Sequence, residues 1–322
     1  MATCLRGAAL ILTALLADPL ALFHPTVVLD EGERRALDHG EAIARAVSAP
    51  SRHIGVFAAV RVSVDGARVA RWLDDIAAFK RSDAVSELGR FSSPPRLEDL
   101  AALTLAPEDL KTLRECTPGK CSMLFSPEEI ERLREPFGRS RPWQDEDLIR
   151  VLRDILLTRA HTYLAAGRTG DPVPVFLEQQ WPELAYAVES YPAQRVPGAT
   201  SFLYWEKVRL GGKPTVTITH VTVVREAAPA GFEVLAISRH VFSTRYISDG
   251  WSVLALLPPG AAQPYFAYLY QARVDRLGGL FGRLLRRVVE REIKARAGDT
   301  LLGLRNRLES GDPPVTDTDV SR

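Results

Sequence analysis

Two histidines lie inside strand-like stretches of the second half of the chain, and imidazole is the side chain best suited to proton transfer near neutral pH. His220 alternates with Val216 and Ile218, and His240 is expected to share a strand face with Ala236 and Phe242. Bordering a cavity, either ring could orient a polar ligand end or act as acid or base. Packed among apolar neighbours, it would be an ordinary core group. His24, His39, His53 and His161 fall in other segments, so no metal cluster is expected. Aromatic residues concentrate around the same strands, and ligand pockets are lined mostly by apolar and aromatic groups. The candidate ligand-binding set is Tyr204, Trp205, His220, His240, Tyr246, Trp251 and Tyr268. Tyr204 and Trp205 are adjacent and face opposite ways, so at most half of the aromatic residues can see one cavity.

Cys116 and Cys121 bracket Thr-Pro-Gly-Lys, and Pro118-Gly119 is a turn signal that brings the thiols together. A structural disulfide is expected, worth roughly 2 kcal/mol for so short a loop. The rival readings are a redox pair, which usually has two intervening residues, or half a zinc site, for which no second cysteine or nearby histidine is present. No G-x-S-x-G, H-E-x-x-H or G-x-x-x-x-G-K-[ST] motif occurs. Gly211-Gly212-Lys213-Pro214 reads as a hairpin turn rather than a phosphate loop. Gly278-Gly279-x-x-Gly282 lacks the dinucleotide fingerprint. No catalytic residue is assigned beyond the candidates His220 and His240, and no cofactor is expected.

The elements that must position these residues divide the chain. Residues 22–53 read as an N-terminal helical segment. Ile54–Val64 is strand-like, Asp65 is an N-cap, and Val69, Trp72, Leu73, Ile76 and Phe79 recur at helical spacing. Ala84–Phe91 reads as a second strand. Residues 96–195 change to helical periodicity, with Ser126-Pro127-Glu128-Glu129 as a helix start. From residue 201, five β-rich stretches alternate with short Gly, Pro and Asp-containing turns, which favours antiparallel pairing. Leu277 to Leu308 then holds one apolar face over some thirty residues, opposite an arginine-rich one. Residues 310–322 read as a disordered tail.

This order of elements resembles the helix-grip fold of the START-like superfamily, also called the polyketide cyclase, SRPBCC or Bet v 1-like group. Val69-Ala-Arg-Trp-Leu-Asp-Asp-Ile-Ala-Ala-Phe79 is similar to that fold's first helix, and Gly279-Leu-Phe-Gly-Arg-Leu-Leu-Arg-Arg-Val-Val-Glu290 to its last. The resemblance covers residues 54–91 and 201–309, and residues 96–190 depart from it as an insertion. It implies an α+β fold in which a seven-stranded antiparallel curved sheet grips a long C-terminal helix. The START-like domain would comprise residues 54–95 and 196–309. Members of that superfamily mostly bind lipids, sterols or polyketides, and a minority are enzymes, so the resemblance gives a prior on function and no more.

Composition narrows the classes. With 46% hydrophobic and 25% charged residues the chain is globular material. A net charge of +1 provides no field to draw it to nucleic acid. Ala8–Ala17 is a ten-residue apolar run after a weakly positive start, the length of a signal-peptide core. Residues 1–21 are therefore expected to be a leader, cut after Ala17 or Ala21, and the protein to be periplasmic or secreted. Cys4 precedes the run and cannot be a lipoprotein cysteine. The expected function is an exported, non-enzymatic binding protein for an apolar or amphipathic, lipid-like molecule held between sheet and final helix. The alternatives are a cyclase- or hydrolase-type enzyme using His220 or His240, and a partner-binding protein without a ligand. Arg283, Arg286, Arg287 and Arg291 also permit peripheral contact with an anionic membrane.

Overall fold

A computed structural model describes residues 19–50, 52–135, 144–166, 172–225, 231–258, 263–274 and 282–311, without the side chains of 282–285, 287–290 and 292–296. The leader run, Cys4 and the tail beyond Gly311 lie outside these residues.

Successive β-rich stretches pair as their short turns require. The strands are β1 (Ile43–Ala46), β2 (His53–Arg61), β3 (Val85–Arg90), β4 (Thr200–Leu210), β5 (Lys213–Arg225), β6 (Val234–Ser243), β7 (Ile247–Leu257) and β8 (Tyr265–Val274). They form one antiparallel sheet in the order β1-β2-β8-β7-β6-β5-β4-β3. The fold is α+β, with a long helix after the last strand. The sheet has eight strands where the sequence predicts seven. The extra one, β1, falls in the segment read as helical. Among the described residues of that segment only Glu31–Asp38 is α-helix (α1), capped by Asp30 with Glu33 in a reciprocal pair of hydrogen bonds. Ile43–Ala46 instead pairs with Val56–Ala59 of β2, tertiary pairing overriding the helical preference of alanine.

Asp65 caps α2 (Gly66–Asp74), as expected, but the helix read through Phe79 breaks at Asp75. That residue accepts a hydrogen bond from Ala78 and starts α3 (Ile76–Lys80) in a new direction. Helices α4 (Pro107–Glu115), α5 (Pro127–Arg134), α6 (Asp145–Ala166), α7 (Val175–Gln180) and α8 (Pro182–Glu189) fill the inserted segment. Ser126 caps α5 with Pro127 in its first turn, the arrangement its sequence predicts.

The sheet is covered on both faces. On one, Val60, Val221, Val223, Ala236, Leu254, Leu256 and Phe266 pack with Val69, Trp72 and Leu73 of α2 and with Leu301 and Leu308 of the terminal helix α9 (Gly282–Ser310). α9 runs alongside β1 and β2, tied to them by Arg286 to the Pro50 carbonyl and by Glu309, which accepts from the Ser63 N–H. On the other face, Phe57, Leu235, Ile237, Trp251, Val253 and Leu269 pack with Leu20, Phe23 and Val27 and with Phe176, Leu177, Ala185 and Val188 of α7 and α8. Helix α6 covers the rest of that face through Leu152, Leu156, Ala160 and Tyr163. Leu20, which sequence places in the leader, is thus part of the core. Residues 19–23 form a 3-10 turn whose Phe23 ring meets Phe57 and Phe176 with centroids 5.4 Å away.

Candidate functional site

Strand alternation grades the α9 face from apolar to polar. The rows Val223, Ala236, Leu254 and Val221, Phe202 are buried against α2 and the second half of α9. Moving along the strands, the cross-strand partners become Ser238, Ser252 and Tyr270, then Tyr204, Thr219 and His240. Ser238 and His240 on β6, Ser252 on β7, and Tyr268 and Tyr270 on β8 are only half-buried, although they lie mid-strand in the centre of the sheet. Yet desolvation is the largest influence on His240, Tyr268 and Tyr270, and it shifts each toward its neutral form. These side chains are thus enclosed enough to lose hydration and still keep some accessible surface. Tyr268 and Tyr270 stack along β8 with their rings 6.4 Å apart and 8° from parallel.

An ion pair closes the polar end. Lys80, delivered by the turn at Asp75, donates to Glu206 Oε1 at 2.8 Å and to Tyr204 Oη at 3.2 Å. Glu206 is 6% exposed, whereas the Lys80 side chain keeps 31% of its surface. Desolvation works to lower the lysine pKa, but the adjacent Glu206 and Tyr204 outweigh it and hold the ammonium well above its ordinary value. Burial, reinforced by the Glu206 charge, pushes the Tyr204 phenol up to about 12. The His240 pKa falls to about 4 through burial and the Lys80 charge, against a backbone hydrogen bond to Ile247, so its ring is neutral at pH 7. Three buried atoms here have no hydrogen-bond partner among the described residues: Glu206 Oε2, Thr217 Oγ1 and His240 Nε2.

His220 faces the other way. It is 1% exposed; Tyr163 Oη of α6 lies 2.9 Å from its Nδ1, and the Tyr191 ring stacks on it at 4.0 Å. Burial and the nearby Arg239 charge lower its pKa to about 3. This arrangement fastens the inserted helices to the sheet. Three more polar anchors act alongside it. Trp205 donates from Nε1 to the Asp99 carbonyl at 2.8 Å, and Lys207 Nζ bridges Glu87 and Thr104. Arg245, 3% exposed, meets Asp109 at 2.8 Å. The Cys116–Cys121 disulfide is formed, and the neighbouring Ser122 Oγ lies 3.4 Å from Arg245. A void of about 10 Å³ between α4, α6 and β5, beside Asp109 and Lys207, is the size of one water.

Of the seven residues predicted to bind ligand, Tyr204, His240 and Tyr268 lie on the α9 side. Tyr246, at a positive φ of 66° in the β6–β7 turn, packs with Tyr270 against the apolar cluster of Ile54, Ile247, Ala272 and Val274. Trp205, His220 and Trp251 lie on the opposite face. His240 shares its face with Ala236 as predicted but not with Phe242. A bulge at Val241 shifts the register, pairing Ile218 with Phe242 but Thr219 with His240. Lys80, Glu206 and Tyr270 are absent from the predicted set. Arg286 is half-buried and Arg291 exposed, while the Arg283 and Arg287 side chains lie outside the described residues. No group of three or more potential metal ligands occurs among the described residues. Nor does any described helix have the length and apolarity to cross a membrane.

No protein-family model, curated protein or solved structure matches the chain.

Proposed function

We propose that the protein is a carrier for an apolar or amphipathic small molecule, held between the sheet and α9 in a START-like, helix-grip arrangement. The observation that carries this reading is the contiguous patch of half-buried Ser238, His240, Ser252, Tyr268 and Tyr270 in the middle of the central strands. A sheet centre covered by a helix is ordinarily sealed, as it is on the opposite face. The gradation from an apolar floor to a polar end is that of a site for a molecule with a hydrocarbon body and a polar head. The element order supports the START-like resemblance, with the inserted helices displaced to the far face, where they leave the site free. A disulfide is compatible with export, the compartment the leader-like run predicts.

Native mass spectrometry of the purified full chain, with analysis of its organic extract, tests the reading. A retained or exchangeable apolar molecule is expected. Failure to take up any lipid, sterol or polyketide would overturn it. A second reading, an enzyme of the cyclase or hydrolase kind, is favoured by one observation, the neutral His240 ring with an unpartnered Nε2. It requires turnover of the bound molecule that His240→Phe abolishes while binding persists.

A further inference from the structure

The interface between the inserted helices and the sheet is built around a side chain that can change its charge in mild acid. His220 of β5 is 1% exposed, with the Tyr163 hydroxyl of α6 2.9 Å from Nδ1 and the Tyr191 ring stacked on it at 4.0 Å. Its other nitrogen, Nε2, is buried without a hydrogen-bond partner among the described residues. Directly across the ladder stands Arg239 of β6, 2% exposed, with its guanidinium 4.7 Å from the Trp251 ring centre. The imidazole therefore meets two neutral phenols and one fixed positive charge, and among the described residues no carboxylate acts on it. The carboxylates that join insertion and sheet are engaged elsewhere, Asp109 with Arg245 and Glu87 with Lys207.

A second cation at that spot finds neither water nor an anion. The Tyr163 hydroxyl can serve either form of the ring, so its hydrogen bond survives protonation. The imidazolium would still lie buried beside a guanidinium, and a buried charge without a counter-charge is costly. The least movement that hydrates the ring is one that lifts its cover. Tyr163 and Tyr191 belong to the insertion, whereas the ladders to β4 and β6 run through the backbone and need not break. Val221 and Val223, the alternate residues of β5, face the other way toward α2 and α9, and their packing is untouched. We propose that the insertion is an acid-sensitive cover. In mildly acidic surroundings α6 and the Tyr191 segment come away from the sheet and bare the apolar face of Leu203, Val216, Ile218 and Phe242, while the strands and the α2 side stay folded.

The covered ring titrates at about 3 and a hydrated one near 6.5, so the open form binds the proton and gains as pH falls below 6.5. Opening should become roughly 30- to 100-fold more frequent between pH 7 and pH 4.5. Hydrogen–deuterium exchange of the full chain, corrected for the intrinsic pH dependence of amide exchange, measures it. Amides of residues 155–163 in α6 are expected to lose protection by that factor, while those of residues 69–73 in α2 keep theirs. In His220→Gln, which retains Asp109 and Glu87, the α6 amides should keep theirs as well. Equal loss in α6 and α2 would make the acid response one of the whole fold. Loss in α6 that persists in His220→Gln would assign it to the carboxylates. Either result overturns the proposal, as does an α6 that does not respond to acid. Should the variant not fold, the contrast between α6 and α2 in the natural chain still decides.

Discussion

His220 and His240 have the same ordinary pKa and the same direction of shift, yet their surroundings give them different roles. His220 is closed in by Tyr163, Tyr191 and Arg239 on the face that carries the inserted helices. His240 lies on the face that keeps accessible surface. Both rings are neutral in the fold, so acid works against it. The folded pKa of His220, about 3, is below the unfolded value near 6.5, and between these the unfolded chain binds the extra proton. The histidine's contribution is therefore whole above pH 6.5 and shrinks as pH falls toward 3. Between pH 7 and 4.5 the natural chain should lose about 2–3 kcal/mol more than His220→Gln, which keeps a hydrogen-bonding group for Tyr163 but cannot titrate. Urea unfolding at the two pH values measures the difference. Parallel losses would mean that His220 is hydrated.

At the scale of elements, the inserted helices are joined to the sheet by buried polar contacts as well as by apolar packing. Arg245 and Asp109 are the most enclosed of these pairs, with side chains 4% and 6% exposed. Asp109→Asn keeps the shape but strands the guanidinium charge, and should cost about 3–5 kcal/mol in the urea midpoint. A loss below 1 kcal/mol would place that pair in contact with solvent. The helices and the five strands after residue 200 were legible because Pro, Gly and Asp punctuate them, and because apolar residues keep a period of 2 or 3.6. β1 was not, since Ile43-Ala-Arg-Ala46 carries no alternation and becomes a strand only by pairing with β2. The site was half legible. Tyr204, His240 and Tyr268 stand out as polar or aromatic groups within strands. Glu206 and Lys207 carry no such signal in the sequence, whereas the structure buries both, one through each face. The partner of Glu206 is Lys80, 126 positions away, and no local pattern reports it. The bulge at Val241 was equally silent, because alternation assumes an unbroken register.

For the molecule as a whole, the two faces of one sheet have been given different tasks. One is sealed by residues 19–29, α6, α7 and α8, and the other is shared between α2 and α9 over a graded floor. Phe23 is among the residues that seal the first, with no exposed surface and two aromatic neighbours. Phe23→Ala should lower stability by about 3–5 kcal/mol, read from thermal or urea unfolding. A change under 1 kcal/mol would show the first turn to be dispensable.

The burial of Leu20, Leu22 and Phe23 bears on how such a chain could be processed. Severing a leader after Ala17 keeps this apolar wedge whole, with Asp18 as the new amino terminus. Severing after Ala21 would discard Leu20 and its buried contacts. Were the chain cut at either position, the upstream cut alone would keep Leu20 in the core.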